Sequence, residues 1–325
     1  MNSFKMSLMK EPLVIVVCLA AALSGCGKKG TTSAQVKPYE PKDLTKPELF
    51  LARVNGRYGF IDRFGQMAIS PRFLRALEFS EGLAPVQAVN QKWGFIDIKG
   101  KMVIQPLFNL AFPFSEGLAS VRAPDLFGCI NKSGDLVIPA KFAGISQFNG
   151  GLAETIFEQQ VGASHVRGFG YIKPDGIFQI PPTFEAAGTF GEGLAPVKVF
   201  AQKWGYIDKD QKIQIQPVFE DAKQFSEGLA AVESDYKTGY KWGFIDHQGN
   251  YVVEPRFTLA RTFSEGLIGV QVDSVKWGFA DKTGKFIIKP DYDDVGQFHN
   301  GLALVRQGAK ERYIDATGKT IWQEP

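Results

Sequence analysis

The sequence predicts an all-β repeat domain of about eight three-stranded antiparallel units, closed as a β-propeller or left as an open solenoid. Three observations predict it. A phrase of about 35 residues is written eight times between Leu51 and Pro325. Each copy holds three short apolar, β-branched or aromatic runs parted by turn residues, as in Leu83-Ala84-Pro85-Val86, Trp93-Gly94-Phe95-Ile96 and Met102-Val103-Ile104. The 27 Phe recur at fixed places in the phrase. One copy is too small to bury a core, so the copies must pack on one another.

The chain divides into residues 1–25, 26–48 and 49–325. The first has Lys5 and Lys10, an apolar run from Leu13 to Leu23, and then Leu23-Ser24-Gly25-Cys26. The run is too short for the roughly 20 residues of a spanning helix and is followed by small residues, which is the form of a cleaved signal peptide. It resembles the lipobox of bacterial lipoproteins. The resemblance implies that Cys26 becomes the new N-terminus and carries the lipid, with palmitate among its acyl chains. Gly27, rather than Asp, favours the outer membrane by the sorting pattern of Gram-negative lipoproteins; inner-membrane retention or secretion is the alternative. Residues 27–48, with Lys28, Lys29, Pro38, Pro41 and Pro47, have no apolar period and read as a flexible stalk.

Within the repeat, the aromatic-Gly step falls at Tyr58-Gly59, Trp93-Gly94, Phe127-Gly128, Phe169-Gly170, Trp204-Gly205, Trp242-Gly243 and Trp277-Gly278, and the eighth copy has Arg312-Tyr313 there. The tryptophans are expected as wedges inside or between units. Asp-x-x-Gly follows, as in Asp62 to Gly65 and Asp97 to Gly100: the Asp caps backbone N–H groups and the Gly supplies a positive φ. Unit five has Gln211 at the Gly position, which predicts a strained or differently closed turn. The third strand is expected to stop at Pro71, Pro106, Pro139, Pro182, Pro217, Pro255 and Pro290, because proline has no N–H for the ladder. Phe79, Phe114, Phe148, Phe190, Phe225, Phe263 and Phe298 are expected to fill the space between units.

Such motifs resemble those of the WG-repeat (KWG-repeat) family, above all Lys92-Trp93-Gly94-Phe95-Ile96-Asp97 and Lys241-Trp242-Gly243-Phe244-Ile245-Asp246. The resemblance covers nearly everything after residue 50. It implies a β-rich bacterial repeat region, often exported, with no shared catalytic residues to carry over.

Lys and Arg total 37 against 34 Asp and Glu, a net charge of +3 that falls to about +2 once residues 1–25 leave. That balance does not suit a nucleic-acid binder, which would carry a basic stripe. With Cys18 in the signal and Cys26 lipidated, Cys129 stands alone and is expected to be a small buried residue. His165, His247 and His299 have no ligand spacing, so no metal and no cofactor is expected.

Glu81, Glu116, Glu192, Glu227 and Glu265 recur in a Ser-Glu-Gly or Gly-Glu-Gly connector that holds Asn in units three and seven, which marks a turn position; around an axis they would form an acidic ring open to a cation or basic peptide. Insertions at 158–168 and 234–240 are expected to share one face, with Glu158, His165, Arg167, Asp235, Tyr236, Lys237 and Tyr240 as its binding residues. Two functions follow. The leading one is a non-enzymatic, lipid-anchored envelope protein that binds or scaffolds a protein or glycan on its β-surface. The alternative is an envelope glycan hydrolase or lyase, which needs repeat-breaking carboxylates in a central channel.

Overall fold

The computed structural model describes residues 48–325 other than 162–163, 200–201, 237–238 and 274. The expected signal peptide, Cys26 and the expected stalk up to residue 47 lie outside the described residues, as does Lys237.

Antiparallel sheets follow one another along the chain as blades: blade 1 (49–73), blade 2 (75–108), blade 3 (110–142), blade 4 (144–184), blade 5 (186–219), blade 6 (221–257), blade 7 (259–292) and blade 8 (294–323). Blades 2 to 8 are four-stranded and blade 1 is three-stranded. The fourth strand is an addition to the expected three. It is usually two residues long, as at Arg75–Ala76, and pairs with the first strand of the next repeat phrase, Arg75 with Gln87 and Ala76 with Val86. Two residues of a period-2 pattern are too few to register as a strand in the sequence. They nevertheless move the blade boundary ahead of the Ser-Glu-Gly turn.

Proline does not end the outer strand as expected. The strand Met102–Phe108 runs through Pro106 and rejoins its neighbour at Phe108, opposite Trp93. Between the pairs Trp93–Phe108 and Phe95–Ile104 the outer strand has two extra residues, so it arches over Gly94. A Cβ on Gly94 would press on the Ile104 carbonyl oxygen and lie 2.8 Å from Pro106 N. The Gly of the aromatic-Gly step is therefore needed for this close approach, and the proline sits in a bulge where its missing N–H costs no ladder bond.

The Asp-x-x-Gly turns form as read. Asp97 Oδ1 accepts N–H bonds from Lys99 and Lys101, each 2.9 Å, and Gly100 has φ 78°. In blade 5 Gln211 keeps the same closure, its N–H donating to the Asp208 carbonyl at 3.1 Å, with the side-chain-bearing residue at φ 64°. That turn is strained rather than differently closed.

Core packing is concentrated at the joints between blades. Phe60 meets Phe79, Phe95 meets Phe114, Tyr171 meets Phe190, Tyr206 meets Phe225, Phe244 meets Phe263 and Phe279 meets Phe298, with ring centroids 4.7 to 5.0 Å apart. At the joint of blades 3 and 4, Cys129 replaces the aromatic and packs in a cluster with Phe148; burial pushes its thiol up to about 12. Trp93, Trp242 and Trp277 are buried, and Trp204 is half-buried.

The ring closes. Phe50, Ala52 and Ile61 of blade 1 share an apolar cluster with Leu302 and Tyr313 of blade 8. Strand Leu49–Val54 pairs with Arg57–Asp62 of its own blade. Closure instead uses side chains. Tyr171 and Tyr206 each donate their hydroxyl at 2.8 Å to a carbonyl of the next blade's short strand region, Gly188 and Lys223. Blade 1 has no such strand among the described residues. There Tyr313 donates to Glu78 Oε1 at 3.1 Å, and Leu51 N donates to Glu78 Oε2 at 3.3 Å. The Glu78 carboxylate thus takes the place of a missing strand's carbonyl, and burial pushes it up to about 7.

Candidate functional site

Because consecutive strands reverse, their turns alternate between the two faces of the ring. The Ser-Glu-Gly and Asp-x-x-Gly turns share one face, and the loops between the second and third strands share the other.

On the turn face, each connector glutamate has a positive φ, for example 52° at Glu81 beside 86° at Gly82, which is the backbone of a two-residue hairpin. The carboxylates are not an open acidic ring. Each accepts N–H bonds from the next blade's connector: Glu81 from Gly117 at 3.2 Å, Glu116 from Gly150 and Gly151 at 2.7 and 2.8 Å, Glu192 from Gly228 at 3.0 Å, Glu227 from Gly266 at 2.9 Å and Glu265 from Gly301 at 2.8 Å. Lys132, His247 and Lys282, each directly after a turn-capping Asn or Asp, reach back to Glu81, Glu192 and Glu227 at 3.1, 3.1 and 3.4 Å. The row the sequence suggested as a cation site is a chain of latches between blades.

The opposite face carries both insertions, as extended hairpins. Ala153–Val161 pairs with Ser164–Ile172, Glu158 opposite Arg167 and Gln160 opposite His165. Ala230–Tyr236 pairs with Gly239–Ile245, Asp235 opposite Tyr240. Glu158 and Arg167 are exposed and form an ion pair at 3.2 Å, with Arg167 also 5.7 Å over the Phe169 ring; Asp235 is exposed. The backbones of His165, Tyr236 and Tyr240 lie in these strands.

The short strand regions of blades 6, 7 and 8 line one cavity of about 850 Å³, which places these strands around the axis. In blades 2 to 7 one backbone position is equivalent, its N–H donating to the neighbouring strand: Leu77, Phe112, Ser146, Gly188, Lys223 and Arg261. Gly296 follows in blade 8. The repeat is broken toward charge in two adjacent blades, and Lys223 and Arg261 both line the cavity. Lys223 pairs with Asp221 at 2.9 Å and lies 4.7 Å over the Trp242 ring. Arg261 pairs across the joint with Asp294 at 2.7 Å and lies 4.8 Å over Trp277. Each cation is held by a carboxylate at one side and an indole face below, which fixes its head group. Arg306 and Glu311 complete the charged lining. A smaller cavity is lined by Gly188, Thr189, Trp204 and Gln224, with Asp221, Lys223, Thr262 and Gln297 common to both.

None of these axial charges was singled out from the sequence. The signal was present in the short segment before each connector, where Asp221-Ala222-Lys223 and Leu259-Ala260-Arg261 stand against Arg75-Ala76-Leu77 and Leu110-Ala111-Phe112. It is invisible without the fourth strand. Two repeat-breaking acids, Glu78 and Glu154, are pushed up to about 7 by burial, but neither lines the axial cavity. Among the described residues no group of three or more His, Cys, Asp or Glu could hold a metal.

The model of the WG-containing repeat matches seven stretches: 58–93, 93–123, 127–155, 169–199, 204–237, 242–275 and 277–310. No curated protein sequence matches significantly. Similar solved structures include the computationally designed Ika8 protein, 9% identical at TM-score 0.51 over 86% of this chain and 90% of that one. Apo AztD from Citrobacter koseri is 12% identical at TM-score 0.48, covering 85% and 93%. BamB from Moraxella catarrhalis is 10% identical at TM-score 0.44, covering 84% and 92%. At such identities the likeness concerns the fold alone.

Proposed function

The chain belongs to the WG-repeat family, and from that premise we propose that it is a non-enzymatic, lipid-anchored scaffold of the bacterial cell envelope that captures a protein partner on its hairpin face. A WG-repeat β-propeller is suited to a protein-interaction scaffold: a rigid ring presents loops from many blades on one broad surface. The observation that carries the reading is the pair of extended hairpins, from blades 4 and 6, on the face opposite the connector-glutamate latches. The turn face spends its polar groups on holding blades together. The other face is where added chain length collects without disturbing a joint.

The anchor rests on Leu23-Ser24-Gly25-Cys26, and Gly27 favours the outer membrane. Several acyl chains on Cys26, at about 0.8 kcal/mol per buried methylene, hold a protein at a bilayer durably where one chain does not. The non-enzymatic reading is supported by the engagement of two of the cavity's three carboxylates: Asp221 and Asp294 are tied to Lys223 and Arg261 rather than poised as an acid and a base. Two measurements test the reading. Labelled palmitate is expected to enter the wild-type chain and not Cys26→Ser. Affinity capture from envelope extract is expected to return a partner that is lost when residues 158–167 are replaced by a two-residue turn; recovery of the same proteins with the shortened chain contradicts it.

A further inference from the structure

We propose that the axial cavity is a binding site for a neutral, hydroxyl-rich ligand, the end of an uncharged oligosaccharide. It adds a small-ligand site to the scaffold reading above and does not depend on the hairpin face.

Four observations converge. First, the site arises from departures from the repeat. Lys223 and Arg261 stand where blades 2 and 3 have Leu77 and Phe112, and glycines flank them, Gly188 before and Gly296 after. A side chain at Gly188 would begin only 2.8 Å from Pro196 Cγ, and one at Gly296 3.2 Å from the Leu304 carbonyl oxygen. The glycines let the adjoining strand pack closely on either side of the two cations.

Second, the charged lining balances. Asp221, Asp294 and Glu311 stand against Lys223, Arg261 and Arg306. A ligand of either net charge gains one set of contacts and opposes the other, so the cavity offers an ion little net attraction. Third, the groups are fixed by the ion pairs and by the indoles beneath them, with side chains still about two-fifths exposed at Arg261 (43%) and Asp294 (46%). Their remaining donors and acceptors sit side by side, the arrangement that vicinal hydroxyls satisfy, since each hydroxyl both donates and accepts. Thr262 and Gln297 add neutral polar groups of the same kind. Fourth, Leu259, Val295 and Leu304 give the wall apolar patches, which suit the C–H face of a pyranose and have no use for an inorganic ion. The volume, about 850 Å³, is within the range of small-molecule sites.

Trp242 and Trp277 lie in the wall, so occupancy changes their emission. The full-length protein in detergent is titrated with cellotetraose, maltotetraose and chitotetraose, and in parallel with tetragalacturonate, the fully deacetylated chitosan tetramer and tetra-alanine. At least one neutral saccharide is expected to bind, with affinity changing less than about twofold as salt rises tenfold, because no net charge is neutralised. Asp294→Asn and Arg261→Met are each expected to weaken that saccharide by at least about tenfold, the loss of a charge-assisted hydrogen bond at about 1.4 kcal/mol per factor of ten. Arg306→Ala, at an exposed side chain, is expected to weaken it with an unchanged melting temperature, and so keeps the test valid if the other two variants fail to fold. Binding of none of the neutral saccharides, preference for a charged tetramer or for the peptide, or unchanged affinity in the Arg306 variant overturns the proposal. Failure here leaves partner capture by the hairpins untouched, and loss of capture in the shortened-hairpin chain leaves the cavity untouched.

Discussion

The joint between blades 6 and 7 and the joint between blades 8 and 1 do the same work with different parts. In the first, Phe244 meets Phe263 edge to face at 5.0 Å, a short strand completes blade 7, and Glu227 accepts from Gly266 across the turn face. In the second, Phe50 meets Tyr313 at 5.5 Å and Glu78 reaches in from blade 2 to accept from both sides of the seam. A repeat propagates by giving every unit the same neighbour. Closure is the one place where that neighbour must be replaced, and here an ionisable side chain replaces backbone.

The largest expected effect tests whether the two joints carry equal load. Phe244→Ala and Phe50→Ala each remove a fully buried ring, and each should cost about 3–5 kcal/mol in denaturant unfolding. An open array would spare the Phe50 variant most of that loss. Next comes the seam's pH dependence. The folded chain holds the Glu78 proton up to about 7, whereas an unfolded carboxyl loses it near the ordinary value of 4.5. Between those values the folded state binds more protons, so stability falls as pH rises, by about 3 kcal/mol for this one group. Glu78→Gln should remove that part of the slope, read as the difference between wild-type and variant unfolding free energies at pH 4.5 and 8. Equal slopes would place the carboxyl in water. A smaller change is expected at an ordinary latch. Glu116→Ala strips the acceptor from Gly150 N and Gly151 N on the surface, and should cost about 1 kcal/mol in denaturant unfolding. Lys282→Met, which removes a half-exposed ion pair with Glu227 and a 2.6 Å hydrogen bond to its carbonyl, is likewise expected to cost no more than about 1 kcal/mol.

The regular joint was legible in the sequence and the closing one was not. Phe-Ser-Glu-Gly and Trp-Gly-Phe recur, so spacing alone marks Phe114 and Phe95 as joint residues, and the Asp-x-x-Gly turns declare themselves by side-chain chemistry. The short strands escaped because two residues carry no period. Proline's lack of an N–H correctly marked an interruption at Pro106, but the interruption proved to be a bulge over Gly94 rather than an end. Glu78 and Tyr313 lie 235 positions apart, and no local pattern links them. The axial charges were hidden for a related reason: Lys223 and Arg261 look like solvated surface residues until the fourth strand turns their segment toward the axis. Both insertions were readable as hairpin extensions because they interrupt an otherwise constant loop length.

The claim on which the ring depends is that Glu78 and Tyr313 meet across the seam, and a double-mutant cycle measures it directly. Unfolding free energies of wild type, Glu78→Ala, Tyr313→Phe and the double variant at pH 8, where the carboxylate is ionised, should give a coupling of about 1.5 kcal/mol or more. Additive single losses, with coupling within about 0.3 kcal/mol of zero, would mean that the two residues do not touch and that the array stands open.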